Sequence, residues 1–179
     1  MACAGSAAVL TCVLAACGGG GEGEDKVDRE EQATESSQGS ASAEVDTDTV
    51  IGELKGPNGV VVQVHSATRD PGGFVTIEAT LHNDGSKPYD PVRLRSQETS
   101  IKSKSDISGA TLVDQQGKKR YLVLRDTDGQ CLCTTSISLT APGDTRPLFA
   151  QFPAPPSSVV EVEFQLPTMT AVALELTEG

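Results

Sequence analysis

Apolar and polar residues alternate along much of this chain, with a period of two. In residues 59–65, Val60, Val62 and Val64 fall on one face of an extended segment and Gln63 falls on the other. Successive side chains of a β-strand point to opposite faces, so this pattern predicts a strand with one buried and one solvated face. The same alternation occurs in three further segments: 74–82, 160–166 and 172–176. Antiparallel sheets commonly have one dry and one wet face, and the pattern therefore favours them.

Clusters of Gly, Pro, Asn and Asp separate these segments. They occur at residues 70–73, 83–86, 115–118 and 141–144. Such residues reverse the chain, and they delimit three more predicted strands: 110–114, 120–125 and 145–152. No segment shows a helical period. We therefore predict an all-β fold over residues 49–179, an antiparallel two-sheet immunoglobulin-like sandwich of seven to nine short strands, with a small barrel as the alternative.

The amino-terminal segment has a different character. Residues 4–16 are almost all small or apolar, a run too short to span a membrane as a helix. Leu14, Ala15, Ala16 and Cys17 close this run and resemble the lipobox of bacterial lipoproteins. The resemblance implies that residues 1–16 are a signal peptide, recognised through Leu14, Ala15 and Ala16, and that Cys17 receives a lipid and becomes the first mature residue.

One feature of the amino terminus departs from that family. A signal peptide opens with basic residues, yet no Lys or Arg precedes Lys26. We expect a true start codon upstream of Met1 to explain the difference. The alternative is that residues 4–16 are only an apolar tail. Two acyl chains hold a protein stably on a bilayer, so lipidation would place this chain on the outer face of the cell membrane.

Charge is distributed unevenly along the chain. The whole sequence carries 25 acidic and 14 basic residues, a net charge of -11. Residues 22–48 hold ten of these acids and two of the bases, a net charge of about -8, which leaves 15 acids and 12 bases elsewhere. Low hydrophobicity and self-repulsion predict that residues 17–48 form a disordered acidic tether, about 30 Å from end to end. An acidic ligand for a basic partner or for cations is the alternative.

The remaining part, residues 49–179, is the size of one domain with its own core. Its near balance of charge and its few aromatic residues argue against binding of nucleic acid. It contains no nucleophile elbow and no phosphate-cradling glycine loop. We therefore expect neither an enzyme nor a resident cofactor or metal.

Three segments of this domain carry a second resemblance. They are residues 77–91, with Asn83 and a following Lys-Pro, residues 121–133, and residues 139–156, with a Pro-Gly turn and a Pro-rich end. Together with the lipobox and the tether, they resemble uncharacterised actinobacterial lipoproteins that have an extracytoplasmic immunoglobulin-like domain. The resemblance implies the fold and the location, and says almost nothing about activity.

The cysteines give the main candidate chemistry. Cys3 and Cys12 lie in the predicted signal peptide, so Cys131 and Cys133 are the thiols that would remain free after lipidation. Paired thiols outside the cytoplasm normally oxidise, and we predict a Cys131–Cys133 disulfide. Such a bridge requires a tight bend, which residues 128–130 supply. Two alternatives stay open: a redox pair, and a copper or zinc site completed by side chains such as His65, His82 or Met169.

Several other motifs have simpler interpretations. His65 and His82 fall on the polar phase of their strands and are predicted to be solvated. Residues 126–129, Asp-Thr-Asp-Gly, lack the later ligands of a calcium loop and are predicted to form a turn. Residues 153–156 are predicted to end a strand rather than to act as a polyproline ligand. Residues 102–104, Lys-Ser-Lys, are predicted to lie in an exposed loop.

These observations favour a membrane-anchored extracytoplasmic lipoprotein that presents a non-catalytic binding or accessory module. The expected partners are the membrane, through the lipid, and an envelope protein or a cell-wall polymer. The alternative is a copper-binding or thiol-redox envelope protein that uses Cys131 and Cys133.

Overall fold

The computed structural model describes residues 47–96 and 106–179, and within them it contains nine strands and two short 3-10 helices. The strands are β1 Gly52–Lys55, β2 Val60–Arg69, β3 Phe74–Asn83, β4 Thr111–Asp114, β5 Lys119–Leu122, β6 Thr145–Pro153, β7 Glu161–Gln165, β8 Val172–Glu175 and β9 Thr177–Glu178. The 3-10 helices are Pro57–Gly59 and Pro91–Leu94. No helix in the described residues is long and apolar enough to cross a bilayer.

The strands form two sheets. One has the order β1-β2-β3-β6, and the other has the order β5-β4-β7-β8. All pairs along these two paths are antiparallel, and β9 adds a short parallel pairing beside β2. In immunoglobulin terms β2, β3 and β6 occupy positions A, B and E, while β5, β4, β7 and β8 occupy C′, C, F and G. The predicted immunoglobulin-like sandwich is confirmed, and the barrel alternative is not observed.

The alternation of the sequence explains how the two sheets pack. Alternate residues along most of β2, β3, β6 and β7 are buried, and their apolar side chains belong to one continuous core between the sheets. At its centre Phe152 of β6 meets Phe164 of β7 edge to face, with ring centroids 6.3 Å apart and planes at 80°. These two rings come from opposite sheets, so their contact joins the layers.

The prediction that His65 is solvated was wrong. His65 is only 6% exposed, and its ring nitrogens lie 2.7 Å from the Thr49 carbonyl oxygen and 2.8 Å from Thr80 Oγ1. The pairing of β2 with β3 shifts register between Val64 and Ser66, which leaves His65 as the extra residue of a β-bulge. The bulge changes the alternation locally, and the preceding chain at Thr49 covers the ring. His82 is half-buried rather than fully solvated.

The predicted strand at 120–125 is shorter than expected, because the chain leaves one sheet for the other. Leu122 still pairs with Thr111 in β4. Two residues later the Leu124 N–H donates to the Gln151 carbonyl of β6, at 2.9 Å. The following residues run along the free edge of β6, where the Thr134 N–H donates to the Phe149 carbonyl at 2.9 Å. This segment covers an edge that would otherwise be open to another strand.

The opposite side of the sandwich is closed by β1. The Lys55 N–H donates to Thr170 Oγ1 at 2.8 Å, and the Thr170 N–H donates to the Lys55 carbonyl at 2.9 Å. Gly52 permits the close approach of β1 to β8, because a Cβ there would lie 2.8 Å from side-chain atoms of both Val172 and Leu174. Both layers are therefore tied together along their sides.

Candidate functional site

The predicted lipidation site lies outside the described residues. Leu14, Ala15, Ala16 and Cys17 belong to residues 1–46, together with most of the predicted tether. The Lys-Ser-Lys segment at residues 102–104 also lies outside them. The described residues that carry candidate chemistry are the cysteine pair and a basic cleft.

Cys131 and Cys133 are joined by a disulfide in the structure. Their Cα atoms are 5.2 Å apart, closer than the ~6.6 Å of positions i and i+2 in an extended strand. The backbone therefore bends at Leu132, as the predicted bridge requires. The two half-cystines are only 8% and 4% exposed and form part of the core. The bend points them inward and leaves Leu132 at the surface.

The preceding Asp-Thr-Asp-Gly motif forms the turn that leads into this bend. Asp126 Oδ1 accepts hydrogen bonds from the Asp128 N–H at 2.9 Å and the Gln130 N–H at 2.8 Å. The Gly129 N–H donates to the Asp126 carbonyl at 3.0 Å. The Asp126 carboxylate therefore holds its own turn together, as carboxylates in Asx-turns do.

Two of the three side chains proposed for a metal site, His65 and Met169, have other contacts, whereas His82 Nε2 is buried without a hydrogen-bond partner among the described residues. Both ring nitrogens of His65 lie within hydrogen-bonding distance of oxygen atoms. Met169 packs against Gly56, where an added Cβ would lie 3.0 Å from the Met169 methyl group. In residues 47–96 and 106–179, no group of three or more His, Cys, Asp and Glu side chains is arranged to hold a metal ion.

A cleft of ≈ 310 Å³ lies on the outer side of the β5-β4-β7-β8 sheet. Its base is a row of side chains in register, with Leu122 of β5, Thr111 of β4 and Gln165 of β7 side by side. Residues that follow the second 3-10 helix, the chain that leads into β4, and the end of β7 at Pro167 form its other walls. The base of the cleft therefore stands on three strands, and its other walls come from the connecting segments.

The charge of this cleft is opposite to that of the chain. Arg95, Arg120 and Arg125 line it, and among the described residues no carboxylate does. Arg120 and Arg125 form no ion pair with any described residue. Two guanidinium groups without such partners attract anions, because the local field of a cleft depends on the charges that line it rather than on the net charge of the protein.

A buried Asp–Ser pair shapes one wall of the cleft. Asp106 is fully buried, and its Oδ1 accepts from the Ser108 hydroxyl at 2.5 Å and from the Ser108 N–H at 3.2 Å. The Ser108 oxygen in turn accepts from the Ser96 N–H at 3.1 Å. The Ser108 side chain thus links Asp106 to the backbone at Ser96 and fixes the two segments that form this wall.

Arg125 connects the cleft to the cysteine loop. Its backbone forms an antiparallel bridge with Cys131, and its Nη1 donates to the Gly129 carbonyl at 3.0 Å. The disulfide-closed loop and its turn therefore hold the Arg125 guanidinium at the cleft.

Sequence reasoning did not find the cleft. Its three arginines lie at positions 95, 120 and 125, in different segments, and form no local motif. The available signal was weak: Arg120 and Leu122 share the outward phase of β5, where an exposed leucine beside an arginine is typical of a binding surface.

Comparison with known proteins adds no assignment. No protein-family model matches the chain, and no curated protein is significantly similar to it. The likeness to lipoproteins therefore stays a prediction from sequence motifs.

Proposed function

We propose that this protein is a lipoprotein, anchored through Cys17 to the outer face of the cell membrane, that presents its β-sandwich as a non-catalytic binding module. The cleft with Arg95, Arg120 and Arg125 is the observation that supports binding. An envelope protein or a cell-wall polymer with anionic groups is the partner class that suits this charge. The lipobox at residues 14–17 and the acidic segment at 22–48 support the anchored location.

The geometry of the cleft suits binding better than catalysis. Its volume lies at the lower end of the range of small-ligand sites, about 300–1,000 Å³. Its described lining contains no His, Asp, Glu, Lys or Cys side chain that could accept a substrate proton. The positive charges of Arg120, which stands on β5, and of Arg125, which is held by the Gly129 carbonyl, favour the selective retention of an acidic partner.

Cross-linking in the native cell tests this function. The anchored protein should retain an envelope component, and the double variant Arg120→Gln/Arg125→Gln should lose most of it, because the cleft loses two of its three charges. Lys119→Gln is the matched control, since Lys119 is exposed, neighbours Arg120 on β5 and does not line the cleft. Equal recovery from the wild type and the double variant would exclude the cleft as the binding site.

The alternative function, a copper or thiol-redox protein, requires accessible sulfur atoms. The structure joins Cys131 to Cys133 and buries both residues. Intact mass measured with and without a reductant distinguishes the two functions. A gain of two hydrogen atoms on reduction and no bound metal supports the binding module, whereas stoichiometric copper supports the alternative.

A further inference from the structure

We infer that the cleft lined by Arg95, Arg120 and Arg125 binds the phosphate group of a phosphate ester. This inference rests on the proposed function, since it names the chemical class of ligand for the same cleft. It is based on the convergence of Arg120 and Arg125, which form no ion pair with any described residue, on a cleft whose described lining contains no carboxylate.

The number and type of donors point to phosphate. Each guanidinium presents five N–H groups in a planar fork that matches phosphate and carboxylate oxygens. Arg125 uses Nη1 for the Gly129 carbonyl, and its other N–H groups have no hydrogen-bond partner among the described residues. A phosphate monoester carries a charge of about -1.5 to -2 and three strong acceptor oxygens, so it matches several guanidinium groups better than a single carboxylate does.

The base of the cleft points to an ester rather than inorganic phosphate. Leu122, which pairs with Thr111 at the base of the cleft, is 53% exposed, and Pro167 lines the same cleft. An organic group attached to the phosphate would cover this apolar surface and remove it from water. The ester should therefore bind more tightly than inorganic phosphate.

Titration of the full chain that carries Cys17→Ser, and is therefore not lipidated, tests the inference. The probes are glycerol phosphate, inorganic phosphate and acetate, followed by NMR of the arginine Nε–H groups and by calorimetry. Glycerol phosphate should shift the Arg120 and Arg125 signals in a saturable way, inorganic phosphate more weakly and acetate least. Raising the salt concentration should weaken binding, because these charges are partly exposed.

Variants separate a specific site from general attraction. Arg120→Gln/Arg125→Gln should weaken glycerol phosphate binding about tenfold or more, while Lys119→Gln should change it less than about twofold. If the double arginine variant and the Lys119→Gln variant lose the same affinity for glycerol phosphate, the phosphate assignment is wrong. It is also wrong if acetate binds as tightly as glycerol phosphate. The absence of a saturable shift would overturn it as well.

Vesicles that contain phosphatidic acid, whose headgroup is a phosphate monoester, identify the source of the phosphate. Preferential binding to vesicles assigns it to a lipid headgroup, and preferential binding to soluble glycerol phosphate assigns it to a soluble ester or polymer; either result supports the phosphate class. Retention of an envelope component that depends on Arg120 and Arg125, without phosphate binding, would refute this inference and leave the proposed function intact. If the protein neither binds phosphate nor retains an envelope component through Arg120 and Arg125, both this inference and the proposed function are refuted.

Discussion

At the scale of single residues, Asn83 holds two loops with one side chain. Its amide nitrogen donates to the Lys87 carbonyl at 2.9 Å and the Thr140 carbonyl at 2.8 Å, and its Oδ1 accepts from the Gly85 N–H at 3.1 Å. Asn83 is completely buried. The Thr140 carbonyl also accepts from the Tyr89 N–H at 2.9 Å, so the amide adds a second donor there and is the side-chain partner of the Lys87 carbonyl and the Gly85 N–H.

Asn83→Ala should lower the free energy of unfolding by about 2–4 kcal/mol, since three backbone groups lose a buried partner at once. Urea unfolding followed by circular dichroism measures this loss. Asp84→Asn, at the exposed neighbouring position, is the control and should stay within about 0.5 kcal/mol of the wild type. A similarly small change for Asn83→Ala would show that the loops hold without the amide.

The burial of His65 was predicted wrongly, and the residues around it explain why. The alternation places Gln63 and His65 on the polar face of β2, and Gln63 is half-buried there. His65 differs because the bulge inserts it between Val64 and Ser66 and because Thr49 lies over it. A bulge depends on the partner strand β3, so the residues of β2 alone do not reveal it.

At the scale of elements, the cysteine loop acts as an edge cover. The Leu132 N–H donates to the Leu124 carbonyl at 2.8 Å, and the Gln151 N–H of β6 donates to the Leu132 carbonyl at 2.9 Å. The disulfide closes the bend around Leu132 and keeps this residue in position against β6. Its contribution is local, because so short a loop restricts the unfolded chain little.

Removal of the bridge with Cys131→Ala/Cys133→Ala should leave the domain folded and about 1–2 kcal/mol less stable. Hydrogen exchange should accelerate at the amides of Leu132 and Gln151, which depend on the loop. The amide of Leu81 in central strand β3 serves as the internal control and should stay protected. If the double variant unfolds, or if exchange at the amides of Leu132 and Gln151 does not change, the disulfide does not have this local role.

The elements also differ in how well the alternation located them. Seven strands lie at predicted positions: the period of two located β2, β3, β7 and β8, and the turn clusters delimited β4, β5 and β6. Strand β1 was not predicted, because it has four residues and buries only Leu54 among them. Strand β9 has two exposed residues and depends on its pairing with Thr68 and Arg69. Such short segments become strands only beside an existing sheet.

At the scale of the whole molecule, charge is separated along the chain. The acidic segment at residues 22–48 has a net charge of about -8, whereas the cleft of the sandwich carries three arginines and, among the described residues, no acid. Within the proposed function, an acidic tether of about 30 Å would keep the module soluble near an anionic membrane.

Cys17→Ser should move the protein from the membrane fraction to the medium, because the two acyl chains that anchor it can no longer be attached. Immunoblotting of fractionated native cells measures the distribution. Cys12→Ser, in the predicted signal peptide, is the matched control and should leave the protein on the membrane. Membrane retention of the Cys17 variant would argue against lipid anchoring.

The sequence by itself determined the sandwich class, most of its strands and turns, and the predictions for Cys17 and the cysteine pair. Those features depend on neighbouring residues, whose alternation or spacing can be read directly along the chain. Only the tertiary structure decided the burial of His65 and the cleft formed by Arg95, Arg120 and Arg125. Both arise where distant segments meet, and the register between strands, which places those segments together, is a property of the assembled sheets.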